Sequence, residues 1–265
     1  MKLSNEKDFL KFWKEKNLSN TDVIKTLTSV ASVSNNLSWL FFSAYQCAIR
    51  YQFRNLIYNQ YTSLAVAEKK NSPLEISIDK NNNNTIIIKG LKTWLVTTNI
   101  SKIIVFAKLT KPIQIIQKSE KKYWKSLVAL VSVDETTKLT PFEKVRYLKK
   151  LKQGNIQLNS TLVDMKNIMS GKKIRDFRVV EKYFVMLSLT IFFSLKIKSH
   201  RLKKVYHNLG NELIVLLLRK KLNDRTLRPL HKKFQKVFDI FDQIPERNSI
   251  TDWNADKVLF KFLTK

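Results

Sequence analysis

The stretch that decides the fold lies in the middle of the chain: residues 90–97 read GLKTWLVT, and residues 101–107 read SKIIVFA. They overlap two runs rich in β-branched and aromatic side chains, residues 85–95 and residues 103–109. Such side chains fit the pleated, half-buried surface of a sheet. The two runs therefore predict a pair of β-strands joined by a short connection.

Further strands are predicted on both sides of this pair. Leu74, Ile76 and Ile78 alternate with polar residues, which is the two-residue period of a strand. Residues 127–133 (LVALVSV) are typical of a strand that is buried on both faces, and residues 156–163 alternate again. Because no long helical segment lies between these strands, we expect an antiparallel β-barrel or sandwich.

Helical periodicity appears before and after the strands. Ser4 and Asn20 are capping residues that predict the starts of two short helices. Residues 37–51 are densely apolar and predict a helix that is buried on most of its surface. Three more helices are predicted after Gly171, the second interrupted at Gly210; they span residues 177–198, 202–222 and 230–241.

The order of elements predicts the fold class and the domains. A chain of 265 residues that is 44% hydrophobic is long enough to bury a large core. We expect an α+β protein with an N-terminal helical domain over residues 1–60. A middle β-domain over residues 61–168 and a C-terminal helical bundle over residues 169–265 complete the prediction.

The chain is strongly basic, with a formal net charge of +28. Surfaces of this charge attract polyanions, and residues 121–125 (KKYWK) combine cations with rings that can stack on bases. Only ten arginines stand beside 39 lysines, however, and the charge is spread along the whole chain. We therefore interpret the positive charge as a compositional bias, and residues 121–125 as a loop that packs one aromatic ring. Nucleic-acid binding remains the third of three functional hypotheses, after the two given below.

Other chemistry finds little support in the sequence. The single cysteine, Cys47, allows no internal disulfide, and with three histidines it gives no metal-site spacing. We expect no signal peptide and no transmembrane segment; the apolar, uncharged run at residues 183–195 is too short to span a bilayer and predicts a buried helix. These features predict a cytoplasmic protein.

Four motifs occur in a fixed order: LAVAE at residues 64–68, GLKTWLVT at 90–97, LVALVSVD at 127–134 and LNSTLVDMK at 158–166. The second, together with the apolar strand after it, resembles the signature of the acyl-CoA dehydrogenase family, and the others resemble strands of that family. The resemblance implies three domains (helices, a β-barrel or sandwich, and a helical bundle). It also implies bound FAD and an oxidoreductase that acts on CH–CH groups of an acyl thioester such as acyl-CoA.

The resemblance implies four cofactor-binding positions. Trp94 falls on the aromatic residue that flanks the flavin; its alternative role is a core tryptophan that closes the barrel. Val96 falls where the family has a threonine whose hydroxyl meets the flavin, so Thr97 supplies that hydroxyl only if the register slips. Ala67 replaces a second family threonine.

The chain also departs from the family. Residues 69–72 (KKNS) replace a Gly-Ala-Gly-Ser-Asp loop, which leaves two lysines as plain charges for a phosphate. The catalytic glutamate has no counterpart, and we interpret Glu212, Asp239 and Asp242 as surface residues. A second hypothesis is therefore a non-catalytic module on the same fold that binds a protein partner. In either case the resemblance favours a homo-oligomer or a hetero-complex.

Overall fold

The structure, a computed structural model, describes residues 3, 5–54, 61–67, 73–96, 100–117, 120–219 and 222–263. These residues form seven α-helices and two four-stranded sheets, which confirms the predicted α+β class. The helices are α1 (Glu6–Glu15), α2 (Val23–Val33), α3 (Leu37–Gln52), α4 (Lys173–Lys196), α5 (His200–Leu218), α6 (Asp224–Phe241) and α7 (Trp253–Leu263). The strands are β1 (Thr62–Ala65), β2 (Glu75–Ile78), β3 (Thr85–Val96), β4 (Lys102–Gln117), β5 (Glu120–Ser132), β6 (Thr137–Pro141), β7 (Gln153–Asp164) and β8 (Ile168–Ser170).

The chain divides into two compact units. Met1–Gln52, Val145–Leu151 and Phe177–Lys265 form a helical unit, and Phe53–Lys144 and Lys152–Asp176 form a β unit. Helices from both ends of the chain thus belong to the same unit. The domain boundaries expected at residues 60 and 168 remain predictions.

The helical unit has a core of aromatic and aliphatic side chains. In α3, every residue from Leu37 to Ile49 is buried, which confirms the prediction of a helix covered on most sides. Phe193 of α4 stacks on Phe241 of α6 at 4.1 Å between ring centroids, and Tyr206 of α5 meets Phe193 edge-on at 5.5 Å. No helix among the described residues is long and apolar enough to cross a membrane.

The ends and continuity of the helices differ from the prediction at several points. The side chain of Asp22, not Asn20, caps α2 by accepting hydrogen bonds from the backbone N–H groups of Ile24 and Lys25. Helix α5 runs without interruption through Gly210, since a helix tolerates one glycine at a cost of about 1 kcal/mol. Helix α7, which was not predicted, follows α6.

The β unit contains two open sheets and not the barrel that the sequence favoured. One sheet has the order β1-β4-β5-β8 and the other β2-β3-β7-β6, and neither closes among the described residues. The expectation of purely antiparallel pairing is also wrong for the first sheet, because β1 and β4 run parallel. The chain between these two strands enters the other sheet as β2 and β3, and this crossover makes the parallel pairing feasible.

One hydrophobic cluster fills the β unit and takes buried side chains from both sheets. It includes Ile103 and Val105 of β4 and Ile86 and Ile156 of the other sheet. Strands β4 and β5 are longer than predicted, so residues 121–125 lie in β5 and not in a loop. The expectation that this segment packs one aromatic ring holds all the same, since its tryptophan joins the cluster.

Candidate functional site

The candidate site is centred on an irregular point in β3. The pairing of β3 with β7 shifts register between Lys92 and Leu95, which marks a β-bulge. Within the bulge, Trp94 has a φ of 60°, in the left-handed region that a large side chain rarely adopts. This conformation costs about 1–2 kcal/mol. Strain of this kind is concentrated at functional sites, where surrounding contacts maintain it.

Contacts with β7 hold Trp94 in this conformation. Its indole Nε1 donates a hydrogen bond to Oε1 of Gln153 at 3.0 Å, and its backbone N–H donates to Oδ1 of Asn155 at 3.3 Å. Gln153 is itself only 6% exposed, so the acceptor is held firmly. The indole remains 43% exposed. Trp94 therefore does not close a core; it presents an aromatic surface fixed along one edge.

The segment after β1 lies against the same bulge. The backbone N–H of Thr93 donates to the carbonyl oxygen of Ala67 at 3.0 Å. Beside it, the Nζ of Lys92 donates to the carbonyl oxygen of Val66 at 3.1 Å. The structure thus brings Ala67 to the bulge that carries Trp94, and Ala67 is exposed there.

The other two predicted site residues have different placements. Val96 lies opposite Gln153 in the β3–β7 ladder, and its side chain is 2% exposed, so it packs into the core. Thr97 lies outside the described residues, as do Glu68 and residues 69–72.

Lys92 is a buried residue of this site that sequence reasoning did not single out. Its side chain is fully buried, and its Nζ lies 5.8 Å from the centroid of the Phe106 ring. A buried ammonium group needs acceptors or a π-face, and the Val66 carbonyl and Phe106 supply both. The only signal in the sequence was the lysine of the GLKTWLVT motif, two residues before the tryptophan.

Of the three late carboxylates that were expected on the surface, Glu212 is exposed and Asp242 is not. Glu212 forms an exposed ion pair with Lys233, Oε2 to Nζ at 2.7 Å, as expected of a surface residue. Asp242 is mostly covered and accepts hydrogen bonds from Trp253 Nε1 at 2.8 Å and Lys257 Nζ at 2.9 Å. The surface interpretation of Asp242 is therefore wrong, because α7, which the sequence analysis missed, packs over it.

Two further carboxyl groups have raised pKa values. Burial raises the pKa of Glu181 on α4 to about 7, although the charges of Arg178 and Lys182 oppose the shift. Burial likewise raises the pKa of Asp256 on α7 to about 6. Both belong to the helical unit. The described residues contain no group of histidine, cysteine and carboxylate side chains that could hold a metal ion.

Comparison with known proteins supports the fold. No protein-family model and no curated protein sequence matches the chain. Among solved structures, the prolyl acyl carrier protein oxidase AnaB matches with a TM-score of 0.57 and 13% identity, over 98% of this chain and 90% of that one. A putative acyl-CoA dehydrogenase from Mycobacterium smegmatis matches with a TM-score of 0.54 and 8% identity, over 98% and 88%.

A third match is TdsC from Paenibacillus sp. A11-2, solved with FMN and indole; its TM-score is 0.55 and its identity 8%, over 98% of this chain and 82% of that one. At these identities the likeness is one of fold. It confirms the acyl-CoA dehydrogenase-like fold that the four sequence motifs predicted.

Proposed function

We propose that this chain is a flavin-binding oxidoreductase of the acyl-CoA dehydrogenase type, acting on a CH–CH group of an acyl thioester or a similar substrate. The observation that carries the proposal is the fixed indole of Trp94. It is exposed, anchored by Gln153 and held in a strained conformation on a β-bulge. These are the properties of a surface that is preorganised to stack on a planar ring.

The residues at this site fit a flavin ring. The exposed indole of Trp94 offers stacking area, and Ala67 is small enough to leave room beside it. Val96 cannot donate a hydrogen bond, so the described side chains would orient the ring mainly by shape and stacking. When bound, a flavin supplies a two-electron acceptor for hydride. The proposal takes FAD as the cofactor, with FMN as the alternative to be tested.

The names of the matched proteins support this choice. TdsC was solved with FMN, another matched structure is described as an FAD-dependent dehydrogenase, and AnaB is named as an oxidase of an acyl carrier protein. Two of the matched chains are thus named for acyl groups carried as acyl-CoA or on a carrier protein. We extend both features, a flavin and an acyl carrier, to this chain as part of the proposal.

A second function, a non-catalytic module on the same fold, is favoured by one observation. Glu212, one of the late carboxylates of the helical bundle, is tied to Lys233 in an exposed ion pair. An exposed carboxylate that is paired with a lysine on the helix surface is placed as a surface residue and not as a catalytic base in a pocket. On this alternative the protein binds flavin or a protein partner without turnover.

The first experiment is an absorbance spectrum of the purified chain before and after incubation with FAD and, separately, FMN. We expect visible flavin absorbance that remains after gel filtration. The Trp94→Ala variant should bind flavin about fivefold more weakly, since aromatic stacking contributes about 1 kcal/mol, while Trp94→Phe should retain most of the affinity. A folded protein that takes up no flavin, or equal affinity in both variants, would overturn the proposal.

A second measurement separates the two functions. Anaerobic addition of acyl-CoA thioesters to the flavin-loaded protein should bleach the flavin absorbance if the chain is an oxidoreductase. Stable flavin binding without bleaching by any thioester in a chain-length series would support the non-catalytic module instead.

A further inference from the structure

A large groove lies in the β unit; Phe106, which Lys92 contacts, lines it, but Gln153 and Asn155, which hold Trp94, do not. Its volume is about 1000 Å³. Its walls come from β4, β5, β8 and the first turn of α4.

The charge of the groove is uniformly positive. Lys108, Lys125, Lys172 and Arg175 line it, and none of the described lining residues is acidic. None of these four cations forms an ion pair with a carboxylate of the described residues. Four unneutralised cations around one groove attract an anion, and the field is strongest where low-dielectric walls surround it. The lining therefore favours a ligand with several negative charges.

The groove also offers exposed aromatic surface. Tyr123 lines it and is 70% exposed, whereas its neighbour Trp124 is only 8% exposed and packs into the core. Because Trp124 packs into the core, Tyr123, its neighbour along the strand, points to the opposite, exposed face of β5. An exposed ring beside cations suits a nucleotide. The ring can stack on the face of the base, and the cations can neutralise the phosphates.

At the floor of the groove the chain after β8 lies close against β5. The backbone N–H of Gly171 donates to the carbonyl oxygen of Ser126 at 3.0 Å, and that of Lys172 donates to Oγ of Ser170 at 3.4 Å. A Cβ atom at Gly171 would lie 2.3 Å from Oγ of Ser126, so glycine permits this close approach of the chain to β5. These contacts place Lys172 beside Lys125, since each is adjacent in sequence to a residue of the Gly171–Ser126 hydrogen bond.

We propose that this groove binds single-stranded nucleic acid. The ring of Tyr123 stacks on a base, and Lys108, Lys125, Lys172 and Arg175 neutralise successive phosphates. Stacking needs an unpaired base face, which excludes a duplex as the ligand. The volume of about 1000 Å³ lies at the upper limit of small-molecule sites, so the groove holds more than one nucleotide. This proposal is independent of flavin binding.

The test is a fluorescence anisotropy titration of the full-length protein with labelled dT2 and dT12, with and without FAD. Affinity should rise from dT2 to dT12. Four phosphate contacts on a single strand predict a slope of about −3 for log K against log salt concentration.

Matched variants locate the binding. Lys125→Gln/Lys172→Gln should weaken dT12 binding about twentyfold at 0.1 M salt and make the slope shallower by about 1.4. Lys203→Gln/Lys204→Gln removes the same charge from an exposed part of α5 and should have little effect. Tyr123→Ala should weaken binding about tenfold, and Tyr123→Phe should restore it.

Three results would overturn the proposal. The first is no binding of dT12 at low salt. The second is equal loss of affinity in the groove variant and the α5 control, which would indicate general attraction to a basic surface. The third is displacement of dT12 by CoA or ATP at concentrations equal in phosphate, which would identify the ligand as a mononucleotide.

Discussion

Asp256 provides a sharp test of how the helical unit is held together. Its side chain is fully buried; Oδ1 accepts a hydrogen bond from the backbone N–H of Leu148 at 2.7 Å, while Oδ2 has no hydrogen-bond partner in the part of the chain that the structure describes. Burial raises its pKa from 3.8 to about 6, the Leu148 N–H and the charge of Lys149 oppose the rise, and Asp252 adds to it. The folded state therefore binds this proton more tightly than the unfolded chain does.

The sign of the pH dependence follows from this difference. The stabilisation from protonated Asp256 is fully present below the unfolded pKa and is lost as pH rises from about 4 to about 6. A rise from 3.8 to about 6 corresponds to about 3 kcal/mol of unfolding free energy at neutral pH. Solvent near the residues around Asp256 screens part of this free energy, so we expect a measured contribution of about 1–2 kcal/mol.

The variant Asp256→Asn imitates the protonated carboxyl group and keeps the acceptor for Leu148. We expect it to match the wild type in stability at pH 4 and to exceed it by about 1–2 kcal/mol at pH 7. Chemical denaturation at several pH values measures the difference. Asp176→Asn, which neutralises an exposed carboxylate, controls for the loss of one negative charge from a basic chain. A difference between Asp256→Asn and the wild type that does not change from pH 4 to pH 7 would refute the reasoning.

Two further predictions concern the backbone. Gly210→Ala should stabilise α5 by about 0.5–1 kcal/mol, because the new Cβ would lie at an ordinary contact distance, 3.6 Å, from Thr190 Cγ2. Gly154→Ala should destabilise the β unit by about 1–3 kcal/mol, because its Cβ would lie 2.3 Å from the carbonyl oxygen of Thr140. Thermal denaturation of both variants checks the opposite signs. Trp94→Gly should be about 1 kcal/mol more stable than Trp94→Ala, the reverse of the usual order, because only glycine adopts a φ of 60° without strain; equal stability of the two would contradict a left-handed Trp94.

The sequence predicted the elements whose pattern is local. The β-branched runs at 85–95 and 103–109 became β3 and β4, because side-chain alternation is set by neighbours along the chain. The dense apolar run at 37–51 became α3, because the composition of a helix that is buried on most sides is also a local property of the chain. Sheet order was not predicted, since the parallel pairing of Leu64 with Ile104 joins residues far apart in sequence. Helix α7 was missed, as its packing over Asp242 involves partners outside its own sequence.

The candidate site was predicted in the same partial way. The motif around Trp94 located an aromatic residue, but the sequence left open whether the indole was buried in a core or presented at a surface. The bulge in β3 and the acceptor on Gln153 decide this, and both depend on β7. Residues 121–125 show the same limit: their charge was evident, yet only the meeting of β5 with β8 and α4 gathers Tyr123 and Lys125 into a groove.

By itself, the sequence determined the α+β class, the order of helices, strands and helices, and the strong positive charge, because composition and periodicity are properties of the chain alone. Its ordered motifs also determined the acyl-CoA dehydrogenase-like fold. Only the tertiary structure decided that the strands form two open sheets, that Trp94 is exposed, and that Asp256 is buried. The physical reason is that burial, strain and raised pKa values arise from contacts between residues distant in sequence, which no local pattern records.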